Sequence, residues 1–124
     1  MSVSIRYIVN DVDAAIDFYI RALEFSVAMH PAPTFAALDR GDIRLYLSAP
    51  GPGGGGSSVD GETPAPGGWN RFQIEVDDLV KLRGELSHAG HQFKGDSIRG
   101  QGGDQALIKD PSGNLVELFQ PRRG

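Results

Sequence analysis

The sequence predicts an α+β fold built from two β-α-β-β-β modules, and three observations carry that expectation. A strand, an acidic turn and a helical stripe occur twice: a shift of 67 positions lays Ser4 on Arg71, Val9 on Val76 and Asp11 on Asp78. A glycine- and proline-rich run separates the two copies. Most of the strand-like segments alternate apolar and polar residues with a period of two, the mark of a sheet with one face on a core.

The first copy opens with Ser4–Val9, a strand-like run that leads into Asn10-Asp11. Val12, Ala15, Ile16, Tyr19 and Leu23 follow at spacings of three and four, the stripe of an amphipathic helix, with Asp11 as its N-cap. Strands are expected over Phe25–Met29, Thr34–Asp39 and Ile43–Ser48, with the turn Arg40-Gly41-Asp42 before the last. In the second copy Arg71–Val76 reads as a strand and Asp78 as the next N-cap. Leu79, Leu82 and Leu86 form the second stripe, and Gly90 stops the helix. Strands are expected over Gln92–Lys94, Gln105–Lys109 and Leu115–Gln120. Asp110-Pro111-Ser112-Gly113-Asn114 joins the last two, and its residue types are those of a tight hairpin turn.

Between the modules, residues 49–68 contain eight glycines and four prolines in twenty positions. Glycine adds backbone entropy and proline lacks an N–H, so no regular element is expected there. The run reads either as a flexible link or as a mobile flap over a site, with Trp69 at its exit as a ligand contact. It is not a phosphate-binding loop, because no Gly-Lys-Ser/Thr follows. The expected organisation is one domain over 1–124, with modules at 1–48 and 69–124.

Composition closes off several functions. The formal net charge is −4 and there are no cysteines. An acidic chain has no basic footprint for nucleic acid or an anionic membrane face. A thiolate nucleophile, a disulfide framework and a cysteine metal site are excluded outright. No apolar run approaches the roughly 20 residues of a membrane helix, and Met1–Arg6 shows no signal-peptide core. A cytoplasmic protein is the expectation. No Gly-x-Ser-x-Gly motif or other nucleophile signature is present, so no catalytic residue is assigned.

The closing Asp110-Pro-Ser-Gly-Asn-Leu-Val-Glu-Leu-Phe-Gln-Pro121 resembles the last hairpin of the vicinal oxygen chelate superfamily, which includes glyoxalase I, bleomycin-resistance proteins and extradiol dioxygenases. Arg6–Tyr19, followed by Ala22-Leu23-Glu24-Phe25, is similar to that family's opening strand and helix. The resemblance implies mixed and antiparallel sheets curling into a cup, and a homodimer. It also implies four metal-ligand positions: His or Gln, then Glu, His and Glu. These positions fall on Ser4, Tyr46, Arg71 and Glu117, and only Glu117 is a ligand type. One carboxylate beside a permanent guanidinium cation is a poor seat for a divalent ion. No metal and no cofactor are expected, and an Arg71–Glu117 ion pair is expected in the metal's place.

The strand phases then bring Ser4, Arg6, Arg44, Tyr46, Ser48, Arg71, Gln73, Glu75, Glu117 and Phe119 to the cup face. With Trp69, all of these except Glu75 are taken as candidate ligand contacts. Tyr46, Phe119 and Trp69 are the flat apolar ones. His88 and His91 straddle the second helix end and read as surface or helix-dipole partners, and His30 as a rim residue. The expected function is binding of a small organic molecule in a metal-free cup, for resistance or sequestration. Two alternatives stay open: a lyase, isomerase or dioxygenase-type enzyme of the same superfamily, and a structural dimer with a vestigial cup.

Overall fold

A computed structural model describes residues 1–122. The chain forms two compact units, Met1–Gly67 and Gly68–Gly124. Each has the order strand, helix, three strands, so the two β-α-β-β-β modules are present. The break between units falls at Gly67/Gly68, which makes most of the glycine-rich run part of the first unit.

In the first unit, β1 (Ile5–Ile8) leads into α1 (Val12–Leu23), followed by β2 (Ser26–Ala32), β3 (Phe35–Arg40) and β4 (Ile43–Ser48). The strand order is β1-β4-β3-β2, with β1 parallel to β4 and the other pairs antiparallel. Asp11 caps α1 by accepting from the Ala14 amide at 3.1 Å, and Glu24 ends it in the left-handed region at φ 60°. The helix buries Val12, Ala15, Phe18, Tyr19, Ala22 and Leu23. Phe18 belongs to this face although it is absent from the expected stripe, while Ile16 is only half-buried. Tyr19 stands edge-on to both Phe18 and Phe25, with ring centroids 4.9 and 5.5 Å away. Tyr7, Leu45, Leu47, Ala36 and Leu38 alternate onto the same core.

β2 runs three residues past the expected end at Met29. Proline is tolerated at Pro31 because β2 is an edge strand, where a missing N–H need not interrupt a ladder. His30 therefore lies in the strand rather than on a loop, and its Nε2 is 3.6 Å from Asp13.

The second unit repeats the plan with β5 (Gln73–Glu75), α2 (Leu79–His88), β6 (Ile98–Arg99), β7 (Gly103–Lys109) and β8 (Leu115–Pro121), ordered β5-β8-β7-β6. Asp78 caps α2 through the Lys81 amide at 3.1 Å. Leu79 and Leu86 are buried. The edge strand differs from expectation. Gln92–Lys94 makes only a single bridge, Phe93 to Ile108, flanked by the Lys94-to-Leu107 and Lys109-to-Gln92 backbone bonds. The run then turns through Gly95 and re-pairs with β7 at Ile98–Arg99. No helix among the described residues is long and apolar enough to cross a membrane.

Candidate functional site

On the second unit, strand register decides which side chains meet. Gln73 lies opposite Glu117 on the parallel β5–β8 pair, and Leu107 lies opposite Glu117 across the β7–β8 hairpin. Glu117 is 8% exposed. Arg71 enters from just before β5 and places Nε at 3.0 Å and a terminal nitrogen at 2.9 Å from the same Glu117 oxygen. Gln73 Nε2 donates to the other oxygen at 2.6 Å. Turning the Gln105 amide so that it can donate puts its nitrogen 3.2 and 3.1 Å from the two carboxylate oxygens. The carboxylate is thus spent on nitrogen donors from three side chains.

The remaining second-unit candidates are arranged more loosely. Trp69 is 65% exposed, and the Lys94 ammonium lies 4.7 Å from its ring centroid. Trp69 meets the ion pair only through its carbonyl, which accepts from Arg71 at 3.3 Å. Phe119 is half-buried on the Glu117 face, with its ring flush on Gly103, where any Cβ would fall within 3 Å of the ring. Glu75 pairs with Phe119 in register and is exposed.

On the first unit, Arg6 and Tyr46 are register partners, as are Ile8 and Ser48. Arg6 donates to the Ser48 hydroxyl at 2.9 Å and sits 5.1 Å from the Tyr46 ring centroid. Phe35 joins from β3, its ring 5.6 Å from that of Tyr46. Ser48 is buried although polar, and this bond satisfies it. Arg44 lies on the same face of β4, next to Tyr46, and is forked onto Asp39 at 2.8 and 2.9 Å. That hydrogen bond, with the Coulomb attraction of the guanidinium, keeps the Asp39 carboxyl below its ordinary range and raises Arg44. Ser4 lies before β1, exposed and outside the ladder.

The glycine-rich run packs on the Arg6 end of this group, which departs from the reading of an unpacked link and not from that of a flap. The Gly51 amide donates to the Gly56 carbonyl at 2.9 Å, and the Ser57 amide to Gly54 at 3.1 Å. Gly56 is buried against the Ala49 carbonyl. Gly55 lies on the Arg6 guanidinium so closely that a Cβ there would collide with it. A cavity of about 660 Å³ opens between this loop, the β2–β3 turn and the Arg6–Ser48 pair.

The four implied metal positions do not fit a metal. Ser4 and Tyr46 are weak donors, Arg71 carries a permanent positive charge, and both Glu117 oxygens already accept from nitrogen donors. Among the described residues no three His, Cys, Asp or Glu side chains converge. His88 is the last residue of α2 and exposed, and His91 follows the helix, half-buried. Gln105, Asp39 and Phe35 are absent from the sequence-derived site, where the glycine run figured only as a possible flap. Only Gln105 was within reach: the turn at Asp110–Asn114 sets Lys109 opposite Leu115, and that pairing places Gln105 opposite Phe119, on the Glu117 face.

Solved structures share this fold at low identity. A member of the Glyoxalase/bleomycin resistance protein/dioxygenase superfamily from Sphaerobacter thermophilus DSM 20745 matches with a TM-score of 0.76 and 23% identity, covering 97% of each chain. TnmS3, an antibiotic binding protein from Streptomyces sp. CB03234, matches at 0.69 and 22%, covering 98% of each chain. The fosfomycin resistance protein FosX from Mesorhizobium loti matches at 0.70 and 14%, covering 98% of this chain and 92% of its own. No curated protein matches. The family model for the Glyoxalase/Bleomycin resistance protein/Dioxygenase superfamily matches residues 3–118, and with both vicinal-oxygen-chelate modules present in the fold, the chain belongs to that superfamily.

Proposed function

We propose that this protein binds a small organic molecule without a metal, as a cytoplasmic homodimer serving resistance or sequestration. The observation that carries the reading is the state of Glu117. It is the one carboxylate at an implied ligand position, and Arg71 and Gln73 neutralise and saturate it. A guanidinium at that distance repels a divalent ion by Coulomb's law, most strongly where water is excluded. What remains is a polar, internally satisfied sheet face with aromatic side chains beside it, a surface suited to recognition. The likeness to TnmS3, an antibiotic binding protein, and to the fosfomycin resistance protein FosX supports a small-molecule role.

Two measurements test the proposal on one sample. Elemental analysis of purified protein should find no stoichiometric zinc, nickel, manganese or iron, and chelator treatment should leave the melting temperature unchanged. A thermal-shift screen against natural products and glutathione adducts should return at least one stabilising compound, since a ligand at 100 times its Kd adds about 2.7 kcal/mol. Stoichiometric metal would refute the reading.

A further inference from the structure

The cavity on the first unit differs in kind from the Glu117 face. Its volume of about 660 Å³ is in the range that holds a drug-sized ligand, roughly 300–1,000 Å³. Phe35, Pro31, Ala32 and Pro50 give it mainly apolar walls, and Arg6 is the only charged side chain among its lining residues. Among the described residues, no carboxylate lies within ion-pair distance of Arg6. The Arg6 side chain is exposed and has no counter-charge among them, so its guanidinium is accessible to an anion that enters the cavity.

The guanidinium is also held in place before any ligand binds. One terminal nitrogen is committed to the Ser48 hydroxyl, the ring of Tyr46 lies beneath it, and Gly55 covers it from the loop. The rest of the fork is left for a planar anion, which guanidinium recognises bidentately. The glycines explain themselves in the same terms. A side chain at Gly56 would run into the Ala49 carbonyl, and one at Gly55 would push the end of the Arg6 side chain aside. Residues 50–56 of the run line this cavity.

We propose that this cavity is a binding site for a flat organic acid, with its carboxylate on Arg6, its apolar body against Phe35, and the Gly51–Gly56 turn as its cover. The inference rests on the reading of the protein as a small-molecule binder and names the place and ligand class. It separates from that reading experimentally, because metal content does not enter its test.

The test compares 2-naphthoate with 2-naphthamide, which share a ring system and differ in charge, by amide chemical-shift titration of the full chain. The acid should bind at least ten times more tightly than the amide, with shifts at Gly53–Gly56 and at the Arg6 side chain. Arg6→Gln, with its melting temperature checked, should erase the preference by weakening the acid alone. Arg6→Lys, which keeps the charge and loses the fork, should leave an intermediate ratio. Gly55→Val should weaken both compounds. Equal affinities for acid and amide, no binding of either, or shifts confined to residues 68–122 would each overturn the proposal. Elemental analysis of the same sample reports separately on the metal-free reading.

Discussion

Arg71 and Glu117 are 46 positions apart in sequence and share two short contacts, 3.0 Å from Nε and 2.9 Å from a terminal nitrogen, to one carboxylate oxygen. The Glu117 side chain is 10% exposed and that of Arg71 is 26%. The pair is therefore buried on the acid's side and partly wet on the base's. Removing the arginine strands a buried negative charge, whereas removing both charges does not.

That asymmetry gives a sign test. Arg71→Met should cost about 2–3 kcal/mol, below the 3–5 of a fully buried pair because water reaches the guanidinium. Adding Glu117→Gln to Arg71→Met should recover part of the loss, since Gln73 and Gln105 can still donate to a neutral amide oxygen. Urea unfolding of the two variants measures it. A double variant less stable than the single one would show that Glu117 is not stranded by loss of Arg71.

The last hairpin depends on two residues for different reasons. Gly113 sits at φ 87° with open space around it, so a substitution there meets strain and no clash. Gly113→Val should cost about 1–3 kcal/mol, and Gly113→Asn less, because asparagine tolerates the left-handed region. Asp110 is 4% exposed and accepts from the Ser112 amide, the Asn114 amide and the Asn114 side chain at 2.9, 2.9 and 3.0 Å. Asp110→Ala removes all three of these hydrogen bonds and should cost about 2–3 kcal/mol. Thermal unfolding decides, and an unchanged melting temperature in either case would contradict the turn geometry.

Where the sequence was legible, a local rule and a distant one agreed. The N-caps Asp11 and Asp78 and the turn glycine Gly113 follow from local backbone chemistry. The Arg71–Glu117 pairing was expected from the superfamily's ligand positions, with the repeat offset laying Ser4 on Arg71 in support. The failures have the opposite character. Gln92–Lys94 was expected to be a strand, and the ladder re-forms at Ile98 after a glycine turn that propensity does not foresee. The Asp39 partner of Arg44 was not foreseen either, because it depends on the β3–β4 register, which sets the two residues opposite each other. The glycine run read either as a link or as a flap, and sequence could not choose because its packing uses backbone atoms: Gly55 on Arg6 and Gly56 on Ala49 leave no hydrophobic signature.

The homodimer proposal is checked by mass. Val27 and Met29 on edge strand β2 are 45% and 46% exposed, and Ile98 on edge strand β6 is 54% exposed. Edge strands with uncovered apolar side chains are what association buries. Light scattering should return about 27 kDa, twice the chain mass of 13.3 kDa, with closed two-fold symmetry. A mass near that of one chain across micromolar concentrations would refute the dimer.

The Asp39–Arg44 pair makes a prediction about acid. Its hydrogen bonds, and next the Coulomb attraction of Arg44, lower Asp39 from its ordinary value of 3.8. A carboxyl whose folded value is depressed contributes stability that is fully present above the unfolded value and is lost as pH falls through the folded one. Arg44 is raised and stays charged throughout this range, so Asp39 alone sets the window. The melting-temperature gap between the native protein and Asp39→Asn should hold constant from neutral pH down to about 5, and should shrink as pH passes below about 4. Both side chains are 39% exposed, so the gap should be small and should narrow further in 1 M salt, where screening reaches roughly 3 Å. A gap that widened on acidification would mean that Asp39 is protonated more easily in the folded chain than in the unfolded one, and the fork to Arg44 would then not hold in solution.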